Sequence, residues 1–120
     1  MARGSERPKV LIVDDDADIR HLLRLLFEVE DYDVVGVASD GLEAVTMARL
    51  HRPDLVVLDY LMPVMDGAEA AAGIRELLPD TRIVAFSAVL DHKPEWADAH
   101  LNKDRVSEVA PLISQMFDWP

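Results

Sequence analysis

The sequence contains no cysteine, which excludes disulfides and thiolate metal centres and suits a reducing, cytoplasmic setting. It lacks any apolar run near the ~20 residues that a bilayer-crossing helix needs, and no signal peptide is visible. Basic residues are scarce: 12 Lys and Arg stand against 23 Asp and Glu, a formal net charge of -11. A chain that binds nucleic acid by itself needs a basic footprint, so that function class is set aside. The acidic balance suits a protein that binds cations or meets a basic partner face. His21, His51, His92 and His100 show no metal-ligand spacing, and there is no internal repeat or low-complexity segment. At 120 residues, half of them hydrophobic, the chain is long enough for one domain with a real core.

Two kinds of segment alternate. KVLIVD (9–14), DVVGVA (33–38), DLVVLD (54–59) and RIVAFS (82–87) are short, apolar and rich in β-branched residues. Such runs are buried on both faces and predict strands of a parallel sheet. Between them, 17–30, 41–51 and 66–78 carry apolar residues at helical spacing. Asp16 and Asp66 read as helix caps, and Asp40 with Glu43 as a capping box. Strand–helix alternation at this spacing predicts an α/β doubly wound fold with right-handed crossovers. The far end is crowded, because one helix, one strand and two connections must fit between Ser87 and Lys103. Pro94 as a first helical residue predicts a short helix at 94–98, then a strand at 99–102 and a last helix at 105–117. Residues 1–8 read as a flexible leader and 118–120 as a tail around a domain of 9–117.

The stretch VLIVDDDADIR (10–20) poses the chemical question. Like charges a few ångströms apart repel by roughly 4 kcal/mol per close pair at an effective dielectric near 20. Asp16 is accounted for as a cap; Asp14 and Asp15 are not. Ligands of open parallel sheets bind outside the carboxyl ends of the strands, at the switch in strand order. Asp14, Asp15, Asp59 and Ser87 all close strands at that edge, and Lys103 follows the last strand. Three carboxylates there form a hard oxygen cluster that a divalent cation would neutralise, and Mg²⁺ suits one or two carboxylates with waters and phosphate oxygens.

These residues carry a resemblance. V-D-D-D-A-D-I-R, D-L-V-V-L-D-Y-L-M-P-V-M-D-G, F-S-A and H-L-N-K together resemble the receiver domain of two-component response regulators, over nearly the whole chain from residue 9. The resemblance implies a flavodoxin-like fold with five parallel strands in the order 2-1-3-4-5 and helices on both faces. It implies Asp59 as the acceptor of a phosphoryl group from a histidine kinase or phosphotransfer protein. Mg²⁺ would be held by Asp14, Asp15, Asp59 and the backbone carbonyl of Leu61. Ser87 and Lys103 would face the phosphoryl oxygens, Met62-Pro63 would set the loop after Asp59, and Gly67 would ease entry into the next helix. Signalling to a downstream protein would follow by docking, with a dimer as one possible form.

Several positions depart from the family pattern. Leu61 and Val89, two residues past Asp59 and Ser87, should shield the acyl phosphate and offer water no hydrogen-bond partner, which predicts slow loss of phosphate. His100 stands where the family places an aromatic switch residue coupled to the hydroxyl of Ser87; histidine is smaller and titrates near neutrality. Lys103 precedes Asp104 rather than proline, and because a cis bond there costs ~3 kcal/mol, a trans peptide is expected. The segment from Ser87 to Lys103 is shorter than usual by about six residues, between one and two turns at ~3.6 residues each, which predicts a shortened fourth helix region. Two other readings compete with the phosphorylatable switch. One is a receiver-like interaction module that works without phosphate. The other is a phosphohydrolase with an aspartyl nucleophile, for which Leu61 occupies the position of the required second acid.

Overall fold

The computed structural model describes residues 7–89 and 91–117; residues 1–6 of the expected leader and the 118–120 tail lie outside the described residues. The strands are β1 (Lys9–Val13), β2 (Asp33–Ala38), β3 (Leu55–Leu58), β4 (Arg82–Phe86) and β5 (Ala99–Leu101). They form one parallel sheet in the order β2-β1-β3-β4-β5, the topology expected. Pro8 is buried and its carbonyl accepts the Asp33 N–H at 2.9 Å, so the sheet contacts begin one residue before β1.

Alternation along each strand divides the core. Val10, Ile12, Leu55, Val57, Val84 and Phe86 point to one face, where they meet Leu23 and Phe27 of α1 (Ala17–Val29). Val109, Ala110 and Ile113 of α4 (Val109–Met116) complete that layer. Leu11, Val13, Val56, Leu58 and Ile83 point to the other face, under α2 (Gly41–His51) and α3 (Gly67–Leu77). These two helices contribute alanines, Ala44, Ala48, Ala70 and Ala71, and small side chains let a helix lie close on a sheet of β-branched residues. With every central strand covered on both sides, the continuous apolar runs follow directly.

The caps are mostly as read. The Asp16 carboxylate accepts from Asp18 N and Ile19 N. Asp66 and Glu69 form the full reciprocal box at 3.0 and 3.2 Å. Asp40 caps Glu43 N at 2.8 Å, but the expected box is only half made: the Glu43 carboxylate reaches one residue further back, to Ser39 N at 2.7 Å and Ser39 Oγ at 3.1 Å.

Two larger departures lie past β4. The helix expected at 94–98 does not form; Pro94 begins only a single turn, closed by Ala97 N to Pro94 O at 3.2 Å. The reason is Asp98. Its N–H donates to Ile83 O at 2.7 Å and its carboxylate accepts Ile83 N at 2.8 Å, which draws the chain into the sheet before a second turn can form. The last helix also enters late. Asn102 leaves the expected strand to cap Asp104 N at 3.0 Å, and Lys103–Glu108 is 3-10 helix with a kink at Arg105 (φ -103, ψ 28). No cis peptide occurs among the described residues, in agreement with a trans Lys103-Asp104 bond.

Candidate functional site

The strand order reverses between β1 and β3, since the chain leaves β1 for β2 on one side and reaches β3 on the other. Val13 lies opposite Leu58, so Asp14 and Asp59 emerge side by side at that switch point. Backbone bonds carry the ladder one residue further on each strand: Asp59 N donates to Val13 O at 3.0 Å and Asp14 N to Ala38 O at 3.1 Å. Both carboxylates are thereby held on rigid backbone, at 1% and 4% exposure. Asp15 is exposed, and one carboxylate oxygen from each of Asp14, Asp15 and Asp59 lies within 4.8 Å of the others.

Lys103 reaches this cluster as the sequence suggested. Its Nζ is 2.7 Å from Asp14 Oδ2 and donates to Asp59 Oδ2 at 3.1 Å. Burial works to lower the Lys103 pKa, but the close carboxylate of Asp14 and then that of Asp59 outweigh it and leave the value raised. Asp59 is pushed above the ordinary carboxylate range, first by burial and then by the charge of Asp14, against the opposing pull of Lys103. Asp14 Oδ1 is satisfied by Asp16 N at 2.9 Å. Asp14 Oδ2, although close to the ammonium, is fully buried without a well-directed hydrogen bond. A buried carboxylate oxygen in that condition, beside two further acids, fits a hard divalent cation.

The remaining site residues are disposed around this centre. Ser87 is buried and directly follows β4; its hydroxyl oxygen accepts Val89 N at 3.3 Å. Leu58 lies opposite Ala85, so Ser87 projects at the same carboxyl edge as Asp59. Leu61 and Val89 are more than half exposed, so the expected shielding is not formed: they border the strand ends and do not cover them. His100 is half-buried at the centre of β5, opposite Ala85, on the sheet face shared with α2 and α3. Gly67 is required by close approach: a Cβ there would strike Asp59 O and come within 2.8 Å of Tyr60 Cα, while its N–H donates to Tyr60 O at 2.7 Å. A cleft of about 430 Å³ beside Arg52, Asp54, Leu78 and Arg82 opens at the amino ends of β3 and β4. It lies at the opposite edge from the acids, so charge and not concavity defines the site.

The loop after Asp59 stores strain. Met65 N donates to Pro63 O at 2.7 Å across Val64, whose φ is 71°. This is a γ-turn of the strained hand with a β-branched residue at its centre. Such a conformation costs about 1–3 kcal/mol, and Val64 is exposed with no compensating burial. Val64→Gly should therefore raise stability by about 1 kcal/mol after the entropy that glycine adds to the unfolded chain. Urea unfolding at fixed Mg²⁺ checks this; an unchanged or lower midpoint would show that the turn is not strained.

Sequence reasoning missed two groups. Arg20 Nη1 donates to the Asp14 carbonyl at 2.6 Å. Arg75, on α3, donates to Thr81 O at 3.1 Å, Trp96 O at 3.3 Å and the Asp98 carboxylate at 2.8 Å. It ties down the segment that lacks its helix, and Trp96 in turn stacks on Tyr60 with ring centroids 6.3 Å apart. Arg20 closes the V-D-D-D-A-D-I-R string, but neither that string nor the polar helix face that carries Arg75 shows a side chain reaching a carbonyl.

The fold and site define a doubly wound α/β class of five parallel strands, with three acids and a lysine at the switch point and a serine at the end of the next strand. A family model for the response regulator receiver domain matches residues 10–102, and the chain belongs to that family. Phosphorylation on aspartate is general to it. The chain is 46% identical over 111 residues to transcriptional regulatory protein PdtaR of Mycobacterium tuberculosis, covering 88% of this chain and 54% of that protein. The response regulator domain of Thermotoga maritima CheB superposes with a TM-score of 0.83 at 30% identity, covering 94% of this chain and 95% of that one. CheY in the CheX-CheY-BeF3-Mg²⁺ complex of Borrelia burgdorferi gives 0.80 at 29% identity, covering 91% and 88%. The chain spans about half the length of the PdtaR proteins it matches. No described helix is long and apolar enough to cross a membrane.

Proposed function

We propose that Asp59 accepts a phosphoryl group from a phosphohistidine of a histidine kinase or phosphotransfer protein, and that the phosphorylated domain signals by docking to a downstream protein. The observation that carries this reading is the buried Asp59 carboxylate, paired with Lys103 and set beside Asp14 and Asp15 at the switch point. An Asp59 oxygen attacks phosphorus as the phosphorus–nitrogen bond breaks, and the electron pair of that bond leaves on the imidazole. Asp14, Asp15, Asp59 and the Leu61 carbonyl would hold Mg²⁺, which would neutralise phosphoryl oxygens. Lys103 supplies a fixed positive charge to another oxygen, and the Ser87 hydroxyl can turn from Val89 N to donate to a third. Burial that raises the Asp59 pKa also strips water from the nucleophile, and Lys103 opposes its protonation.

The Borrelia burgdorferi relative, solved with BeF3 and Mg²⁺ and with CheX bound, supports both the metal and the docking. On this reading the domain is a phosphoacceptor and not an enzyme acting on other substrates. Leu61 in place of a second acid argues against hydrolase chemistry. His100 in the short β5 would couple the site to the surface, and a cytoplasmic location follows from the kinase partner.

Intact-protein mass after incubation with Mg²⁺ and acetyl phosphate tests the proposal. One phosphoryl increment is expected, lost in Asp59→Asn and lost without Mg²⁺. No increment in a folded chain would favour the phosphate-independent module, to which the irregular 91–98 segment would then give the distinctive surface.

A further inference from the structure

Arg20 is the fourth residue of α1, and long side chains on a helix lean toward its N-terminus. It uses that direction to reach back across the cap and donate to the Asp14 carbonyl at 2.6 Å. The placement has an electrostatic cost, because a cation near a helix N-terminus opposes the macrodipole. What it secures is specific. The carbonyl of Asp14 belongs to the peptide that joins Asp14 to Asp15, so the guanidinium fixes the plane of the unit between the two acids. Two further bonds complete the frame: the Asp14 N–H is held by Ala38 O, and Asp14 Oδ1 accepts Asp16 N, which belongs to the peptide that follows Asp15. Exposed Asp15 is thus held from both sides, with Arg20 fixing the peptide before it and Asp14 Oδ1 the peptide after it.

We propose that Arg20 is a positioning residue that sets the Asp14 and Asp15 carboxylates relative to each other for a divalent cation. The inference rests on the reading of Asp14, Asp15 and Asp59 as a metal site. It makes a signed claim. By charge alone, removing a cation beside three carboxylates should tighten Mg²⁺ binding; if orientation dominates, binding should weaken. Partners that orient metal ligands are worth roughly 10–100-fold in affinity, and the low end applies to a group that acts through the backbone.

The test is calorimetric titration of MgCl2 into the full chain and its Arg20→Gln and Arg20→Lys variants, below their melting temperatures. Arg20→Gln should bind Mg²⁺ about tenfold more weakly, and Arg20→Lys, which keeps a charge and one donor, should recover part of the loss. The Mg²⁺ needed for half-maximal phosphoryl incorporation from acetyl phosphate should shift by the same factor. Incorporation at saturating Mg²⁺ should stay near wild type, since Arg20 does not touch the reacting atoms. A purely structural role would lower the melting temperature and leave the Mg²⁺ dependence in place. Unchanged or tighter binding by Arg20→Gln would overturn the proposal, as would Arg20→Lys binding like wild type if Arg20→Gln fails to fold. A wild-type chain that does not bind Mg²⁺ would instead overturn the metal reading itself, and the inference with it.

Discussion

Lys103→Ala is expected to cost about 3 kcal/mol of stability in the absence of divalent cations, with much of that loss recovered in Mg²⁺. Removing one partner of a buried ion pair typically costs about 3–5 kcal/mol, because the other charge stays buried without compensation. Here one ammonium, 21% exposed, serves two carboxylates that are almost wholly buried. The lower end applies because either acid can take up a proton. Two linkages give the pH dependence its sign. Lys103 is raised above its ordinary value, so its contribution is present below that value and fades only as pH rises through the folded pKa. Asp59 is also raised, so the folded chain binds its proton more tightly than the unfolded chain does. That makes ionised Asp59 a liability, relieved as pH falls from the raised value toward the ordinary one. Without Lys103 the Asp59 pKa should climb further, and the variant should gain more stability than wild type as the pH falls from neutral toward the ordinary carboxylate value. Urea unfolding at both ends of that pH range, each with EDTA and with Mg²⁺, measures all of this. A loss under 1 kcal/mol, or no recovery with Mg²⁺, would mean that the two acids are solvated and independent.

That arrangement was largely legible from the chain, for a physical reason. A strand buried on both faces must be continuously apolar, so VLIV, LVVL and RIVAF announce themselves, and the polar residue ending each run must lie at the carboxyl edge. Asp14, Asp59 and Ser87 are found that way, and the string from Asp59 to Gly67 adds the loop. Contacts made by side chains to backbone leave no such trace. Arg20 occupies an ordinary polar position of α1, and its reach to a carbonyl has no periodicity to reveal it. Asp98 is one more acid in an acid-rich chain, although its two bonds to Ile83 decide that no helix forms after Pro94. The 3-10 entry at Lys103–Glu108 was hidden differently. Val106 and Val109 are three residues apart, a spacing that both helix types satisfy.

Asp98→Ala should cost the fold about 3 kcal/mol and leave phosphoryl transfer to Asp59 nearly intact. The Asp98 carboxylate accepts Ile83 N at 2.8 Å and Arg75 Nη2 at 2.8 Å from a single oxygen. Its loss leaves a strand N–H and a guanidinium without that partner; hydrogen bonds to charged groups contribute about 1.5–3 kcal/mol each, and an orphaned donor about 1–3. Partial burial acts to raise the Asp98 pKa, but the bonds from Arg75 and Ile83 and the charges of Arg75 and Arg82 outweigh it and hold the value below the ordinary range. The stability that Asp98 adds is therefore present above its unfolded pKa and lost as pH falls through the lowered folded one. The gap between wild type and Asp98→Ala should accordingly close in that acid window. Arg75→Ala should not add its full effect to Asp98→Ala, because the two share one contact, and a double-mutant cycle reads the coupling. Function separates two roles for the 91–98 segment. The Asp59 pocket is held by β1, β3 and Lys103, and the Asp98 N–H to Ile83 O bond that seats β5 ahead of Lys103 survives the substitution, so incorporation from acetyl phosphate should stay within about twofold of wild type. That factor corresponds to less than half of the 1.4 kcal/mol that a tenfold change represents. A collapse of incorporation in a chain that remains folded would show the opposite. The Trp96–Tyr60 stack would then be transmitting the position of this segment to the residue next to the phosphoacceptor, and the segment that replaced the helix would belong to the site.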